Sequence, residues 1–402
     1  MTHLKLKLKR ATVIICGFAL ITIFNPNSAA AQTKEQSKIH IGFIYPLSTN
    51  GTHAPLDTNT LSLHVLAGVS AEEKGLAFSG LTNVVRNNAR GMLFAGFSNH
   101  VGKEVQGMVY AGFANTYRTA RGLQAAGFTN IAMDSIQGVQ LAGFFNKAGN
   151  VKGLQGAGFA NLSKEINGSQ FAGFANVATG VKGSQFAGFT NVSGKAVSGS
   201  QFAGFANVAT DVSGSQLSGF INAARKVKGT QLGFINIADS SDHPIGIINI
   251  SKNGEKSLGL QADETQTVLL TFRSGGKSLY GIIGAGYNFK LSREEYTYAY
   301  ELGLGAHLFR IQSFRLNTEL SQQYLEDFHR GYYFKTTFRL MPSLKLGKTL
   351  ELFGGPSINL VNTNTFDGRD LVDRYLWERN NRWNGGSHGL YIGYLAGINI
   401  HI

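Results

Sequence analysis

A block of fifteen or sixteen residues repeats itself about a dozen times through the middle of the chain, and no other feature limits the fold as tightly. Its core reads Gly-x-Gln-x-Ala-Gly-Phe-x-Asn, as in Gly168-Ser-Gln-Phe-Ala-Gly-Phe-Ala-Asn176 and Gly183-Ser-Gln-Phe-Ala-Gly-Phe-Thr-Asn191. The repeat asparagines fall at Asn83, Asn99, Asn115, Asn130, Asn146, Asn161, Asn176, Asn191, Asn207, Asn222, Asn236 and Asn249, and the spacing tightens to 14 and then 13 at the C-terminal end. So short a block encloses no core of its own. Each copy must therefore bury a face against its neighbours.

Within a block the residues alternate. Val181, Gly183, Gln185, Ala187, Phe189 and Asn191 share one parity, while Lys182, Ser184, Phe186, Gly188, Thr190 and Val192 share the other. A period of two belongs to a strand and not to a helix. Length varies only between the Asn and the next Gly, as in Val192 to Ser198 against Val177 to Lys182, which marks that stretch as the turn.

Two all-β architectures accommodate the pattern. In a β-solenoid one block is one coil, and identical residues stack about 4.8 Å apart. That sets up an amide ladder of Asn130, Asn146, Asn161, Asn176, Asn191 and Asn207, a second of Gln170, Gln185 and Gln201, and an aromatic ladder of Phe159, Phe174, Phe189 and Phe205. In an antiparallel meander one block is one strand, and reversal sets Gln beside Phe, although the turn residues Gly149-Asn150 and Thr210-Asp211 suit it. The solenoid is the preferred expectation, with the amides read as ladder residues and not as a glycan- or ion-binding face. The Phe ladder is expected to be buried, so that Phe189→Asp would unfold several neighbouring coils.

The flanks differ from the array. Residues 1–31 read as a signal peptide, with basic Lys5, Lys7, Lys9 and Arg10, an apolar run from Ala11 to Phe24, and Ala29-Ala30-Ala31 before Gln32. Residues 32–74 are expected to cap the array through degenerate strands at Ile41 to Gly51 and Leu61 to Gly68, and the array itself occupies 75–254. From 255 to 402 the alternation is longer and cleaner. Leu279, Gly281, Ile283, Ala285, Tyr287 and Phe289 share one face, and Tyr296, Tyr298, Tyr300, Leu302 and Leu304 oppose Glu301. Seven such strands, or eight with Ser257 to Gln261, joined by short turns such as Ser274-Gly275-Gly276 and one long loop at Thr363 to Gly386, match the pattern of an outer-membrane β-barrel. The competing expectation is a soluble antiparallel sheet packed on the array. Ile402 departs from the aromatic residue with which such barrels commonly end.

Composition narrows the function classes. With 51 Gly, 6 Pro and 15% charged residues the chain reads as repetitive but folded. The formal charge of +13 falls to +9 when the four basic residues of the signal segment are removed, and the remaining Lys and Arg are spread singly, as on a solvated surface and not a nucleic-acid-binding stripe. Cys16, the one cysteine, lies in the signal segment, so the mature chain offers no disulfide, thiol nucleophile or thiolate metal site.

No catalytic, cofactor-binding or metal-ligating set emerges. Gly276-Lys277-Ser278 imitates the end of a phosphate loop in a hairpin context, and Gly284-Ala285-Gly286 lacks a third glycine and a following helix. Asp367, Asp370, Asp373 and Glu378 crowd the long loop without a calcium-loop spacing, and His100, His243 and His307 have no partner at metal-ligand spacing. An enzyme is not expected, nor any cofactor.

The nonapeptide array, with Tyr45-Pro46-Leu47-Ser48-Thr49-Asn50-Gly51 before it and Lys252-Asn253-Gly254-Glu255-Lys256-Ser257 after it, resembles a family of Gram-negative bacterial surface repeat-containing proteins, and residues 255–402 are similar in pattern to outer-membrane barrels. The resemblance implies placement at the outer membrane or cell surface, with the periplasm as the alternative, and brings no catalytic residue with it. The expected function is a structural or adhesive scaffold, partnered by the outer membrane and by a surface glycan or protein of unknown kind. An outer-membrane pore or transport-accessory barrel, its wall extended by the repeats, is the second expectation.

Overall fold

The computed structural model describes residues 38–290, 297–326, 331–380 and 386–402. The signal segment at 1–31 and Tyr296 lie outside these. Residues 38–251 wind into a parallel β-solenoid of about 13 turns, followed by a closed antiparallel barrel of eight strands.

Coil stacks on coil in parallel and in register: Asn161 lies opposite Asn176, Gly168 opposite Gly183, Gln170 opposite Gln185 and Phe171 opposite Phe186. A meander would require antiparallel neighbours, so that alternative is excluded. The reason lies in the ladders, since only parallel stacking brings each side chain onto its own kind.

One coil shows how the sequence turns. The strand Ala160–Ala172 bends at Gly168, whose φ is 145°, then leaves the sheet at Gly173-Phe174 and re-enters as Ala175–Ala187. Glycine is required at the bend twice over. A β-carbon on Gly183, where φ is 147°, would also fall 1.9 Å from the carbonyl oxygen of Gly168 in the coil beneath. The alternation expected through Gln185, Phe189 and Asn191 fails at the Gly188-Phe189 corner. The chain rotates there, so Gln185 and Asn191 point inward and Phe189, of the same parity, points out.

The solenoid interior is half aliphatic. Val105, Ala120, Ile136, Val151, Ile166, Val181, Val197, Val212 and Val227 form a buried ladder, each two residues before the bend glycine or its equivalent. At the N-terminal end Lys38–Ile44 stacks in parallel on Thr58–Ser70, and a short antiparallel return at Leu47–Ser48 and a 3-10 turn at Gly51–Leu56 close the edge.

The barrel strands are Glu255–Asp263, Thr267–Gly275, Leu279–Asn288, Tyr298–Ile311, Phe314–Glu326, Tyr333–Leu346, Leu350–Thr363 and Ser387–His401. Ser257 pairs with His401, so last strand meets first and the sheet closes. An added short strand, Trp377–Asn380, pairs with the start of Ser387–His401.

The two ends of the barrel differ. Both barrel termini and the connections 276–278, 312–313 and 347–349 lie at one end, while the strand ends at 263 and 267, 288 and 298, 326 and 333, and 363 and 387 lie at the other. The solenoid abuts the short-turn end. The Asn249 backbone N–H donates to the Ser274 hydroxyl oxygen at 2.9 Å, and its side-chain amide donates to the Ser274 carbonyl at 3.0 Å.

Candidate functional site

The Asn ladder is buried throughout, each residue 3% exposed or less. From Asn83 to Asn249 each side-chain amide donates to the carbonyl oxygen of the next Asn side chain at 2.8 to 3.0 Å. The same amide nitrogen braces the coming corner. Asn176 donates to the Phe186 carbonyl at 2.7 Å, and Asn191 to the Phe202 carbonyl at 2.7 Å. One residue type thus satisfies both its own polarity and the backbone of a turn.

The Gln ladder runs from Gln140 to Gln231 at 2.8 to 3.0 Å. It stops at Gln124. The Gln140 amide turns away to donate to the Tyr117 hydroxyl at 2.9 Å, and both amide atoms of buried Gln124 are left without a partner. Fully buried Tyr117 replaces the small inward residue of other coils, and burial raises its pKa well above the usual phenol range.

The Phe ladder is a correction. Phe97 through Phe205 stack with ring centroids 4.8 to 5.1 Å apart out to Phe220, but they do so on the outside of the solenoid. Phe159, Phe174, Phe189 and Phe205 are each 40% exposed or slightly more. The corner geometry explains it, because a Gly-Phe turn sends its side chain away from the axis. A second exterior ridge, with Phe171, Phe186 and Phe202 stacked at 4.8 and 5.0 Å, runs beside it above a floor of Ala and Gly. Along this second ridge lies a shallow apolar groove of about 720 Å³. Lys164, Asn167 and Lys182 are exposed on other parts of the coil, so the rod is amphipathic.

The cap holds the titratable cluster of the solenoid. His64 Nε2 lies 3.2 Å from His40 Nδ1, the Ser62 hydroxyl donates to both Glu73 carboxylate oxygens at 2.8 and 2.9 Å, and Asn59 donates to Glu73 at 3.2 Å. Burial pushes the Glu73 carboxyl up to about 7, against the pull of the Ser62, Ser70 and Asn59 hydrogen bonds. Burial, with His40 beside it, lowers His64 to about 4, and burial lowers His40 also. All three are nearly inaccessible, which suits a structural plug better than a reacting centre.

The barrel is polar inside and apolar outside. Glu319, fully buried, takes Arg273 Nε at 2.9 Å, Arg339 Nε at 3.0 Å and the Tyr280 hydroxyl at 2.8 Å, while Arg339 also pairs with Glu301. Lys335 meets Asp263 at 2.5 Å. Arg339 and Glu319 face each other on adjacent strands, but the other partners stand on strands that are not neighbours, so those ion pairs cross the lumen. A cavity of only about 30 Å³ remains near Glu255, Arg315 and His401. Outside, Leu260, Leu270, Leu320, Ile358 and Ile392 are each half exposed or more.

The other sequence candidates disperse. Asp373 pairs with Lys290 at 2.7 Å and Glu378 with Arg369 at 2.5 Å; Asp367 and Asp370 sit in the short helix Phe366–Asp370. His100 contacts Thr116 Oγ1 at 2.7 Å and His307 contacts Asn317 at 2.6 Å. Among the described residues no group of three or more His, Cys, Asp or Glu is placed to hold a metal ion. Gly276-Lys277-Ser278 is a hairpin connection. Sequence reasoning missed the cap cluster and the exterior groove; the Phe or Leu two residues before successive Gly-Phe corners, at Phe171, Phe186, Phe202 and Leu217, was the available signal for the groove. Compared with family models, curated proteins and solved structures, the chain matches none.

Proposed function

We propose that the chain is a non-enzymatic envelope protein whose barrel is embedded in an outer membrane and carries the solenoid as a stiff scaffold on the inner, periplasmic side. The observation that carries this reading is the inverted barrel, with Arg273, Glu301, Glu319 and Arg339 paired inside and a band of Leu, Ile, Phe and Tyr outside. In water such a band would be an aggregation liability, whereas in hydrocarbon it is the required surface. A closed barrel also leaves no unpaired strand edge for lipid to contact.

The connections support the periplasmic side. Outer-membrane barrels keep short turns on the periplasmic side and longer loops outside, and the solenoid joins the end with connections 276–278, 312–313 and 347–349. About 13 turns at about 4.8 Å make a rod of roughly 60 Å. The ion pairs across the lumen speak for an anchor and against the pore reading.

The test uses the full-length protein. It should remain with the outer-membrane fraction until detergent is added, and unheated samples should migrate faster on gels than heated ones. Protease added to intact cells should spare the repeat peptides, and permeabilised cells should lose them. Release of the mature protein without detergent would refute the membrane barrel, and cleavage of repeats on intact cells would reverse the side.

A further inference from the structure

The groove along the second exterior ridge has no role in an anchor, and it is built from one kind of surface. Its wall is Phe171, Phe186 and Phe202 with Leu217 and Leu232, its floor is Ala and Gly, and Ser218 supplies the sole side-chain hydroxyl in the lining. We propose that this groove seats an acyl chain of a phospholipid from the leaflet that meets the short-turn end of the barrel. The inference rests on the membrane reading above.

Chemistry selects the occupant. A peptide strand laid in the groove would need backbone partners, but the coil backbone beneath is already paired from coil to coil through Gln170, Gln185, Gln201 and Gln216. A sugar or phosphate would need polar side chains that the lining does not offer. A hydrocarbon chain needs neither.

Length is sufficient. From Gly156 to Leu232 the lining spans six coils, about 24 Å at about 4.8 Å each, whereas one leaflet contributes about half of a hydrocarbon core of about 30 Å. An extended acyl chain fits along the axis.

The groove also leads to the barrel wall. Its ridge continues from Leu232 to Ile245, and Pro244 beside it packs on Gly276 of the barrel. The Phe ladder ends at Ile247, in the coil above Phe234. A β-carbon on Gly281 would lie 2.1 Å from the carbonyl oxygens of both Gly246 and Ile247, so ladder and barrel strand touch. Beyond Gly281 the outer wall carries Leu270, Phe272 and Ile283 around a second apolar depression. An acyl chain moving between wall and groove stays on apolar surface.

The experiment places a tryptophan in each surface and reads its quenching by phospholipids brominated on their acyl chains, with the full-length protein reconstituted in vesicles of that lipid. Emission of the unsubstituted protein, which has two tryptophans, is subtracted. The tryptophan of Leu270→Trp reports the barrel wall and that of Phe186→Trp the groove. Both are expected to lose emission to a similar degree, and adding Ala187→Leu, which fills the floor, should restore emission at the groove and not at the wall. Quenching at the wall with none at the groove overturns the inference while the membrane reading stands. Silence at both sites overturns the two together. A groove left unquenched in particles whose mass doubles would show that a second copy of the chain covers it, and would likewise overturn the inference.

Discussion

A buried primary amide costs about 1 to 3 kcal/mol for each donor or acceptor left unpaired, and this decides which repeat residues matter. Asn191 donates to Asn207 at 3.0 Å and to the Phe202 carbonyl at 2.7 Å, and it accepts from Asn176 at 3.0 Å. Asn191→Leu orphans all three and should cost several kcal/mol, about 3 to 6. Phe189 instead loses only its stacking on Phe174 and Phe205, 4.9 and 4.8 Å away, on a surface already in solvent. Phe189→Asp should cost about 1 to 3 kcal/mol and leave the array folded. Thermal melts followed by circular dichroism rank the two, and the reverse order would refute the assignment of inside and outside. Gln124 gives a second check with opposite sign. Its amide is buried with no partner, so Gln124→Leu should raise the melting temperature and stabilise by about 1 to 2 kcal/mol. Gln170→Leu, which breaks bonds to Gln155 and Gln185, should lower it.

At the scale of the element, the N-terminal cap carries the pH dependence. Glu73 titrates near 7 when folded and near 4.5 when unfolded, so between those values the folded chain holds a proton that the unfolded chain has released. Stability of the cap therefore falls as pH rises through that window. His64, lowered to about 4 from 6.5, works the other way: the unfolded chain binds the proton first, and stability falls as pH drops from 6.5 towards 4. His40 is lowered too and adds in the same direction. The two trends oppose each other where they overlap, so the cap should be most resistant to opening inside that overlap, between about pH 4.5 and 6.5, as measured by hydrogen exchange in the strand Thr58–Ser70. Glu73→Gln keeps an acceptor for Ser62 and Asn59 and should abolish the loss on the alkaline side, while the acid side persists. An unchanged alkaline limb in that variant would show that another group governs it.

The same scale explains what the sequence disclosed. The parallel coil was readable because identical residues at a fixed spacing, Asn176 over Asn161 and Gln185 over Gln170, satisfy one another only when stacked. The barrel was readable because Glu301, Glu319 and Arg339 alternate with Leu302, Leu320 and Phe338. The outward Phe189 was not, since parity counting assumes a straight strand and the Gly188-Phe189 corner rotates the chain. The cap cluster was hidden for another reason: His40, His64 and Glu73 come from three different strands with no motif between them, and only the coil register brings them together.

For the whole molecule, each half completes the other. A solenoid of parallel coils ends in an open edge with unpaired backbone and an unfinished ladder, which is a template for further stacking. At the N-terminal end the return at Leu47–Ser48 blocks it. At the C-terminal end the barrel does so, because Ser274, fully buried, stands where the next Asn would and takes both bonds of Asn249. Gly275 closes in from the same strand, its carbonyl oxygen 2.3 Å from where a β-carbon on Gly254 would sit. Deleting residues 255–402 should therefore expose the Asn249 coil and drive end-to-end association of the truncated solenoid, seen by sedimentation as species that grow with concentration. Replacing the coil residue Asn249 by Pro in that truncation removes from the open edge the backbone donor and the amide that Ser274 otherwise engages, and should restore a smaller species. A truncated solenoid that stays monomeric and folded without that change would mean that the barrel anchors the rod without capping it.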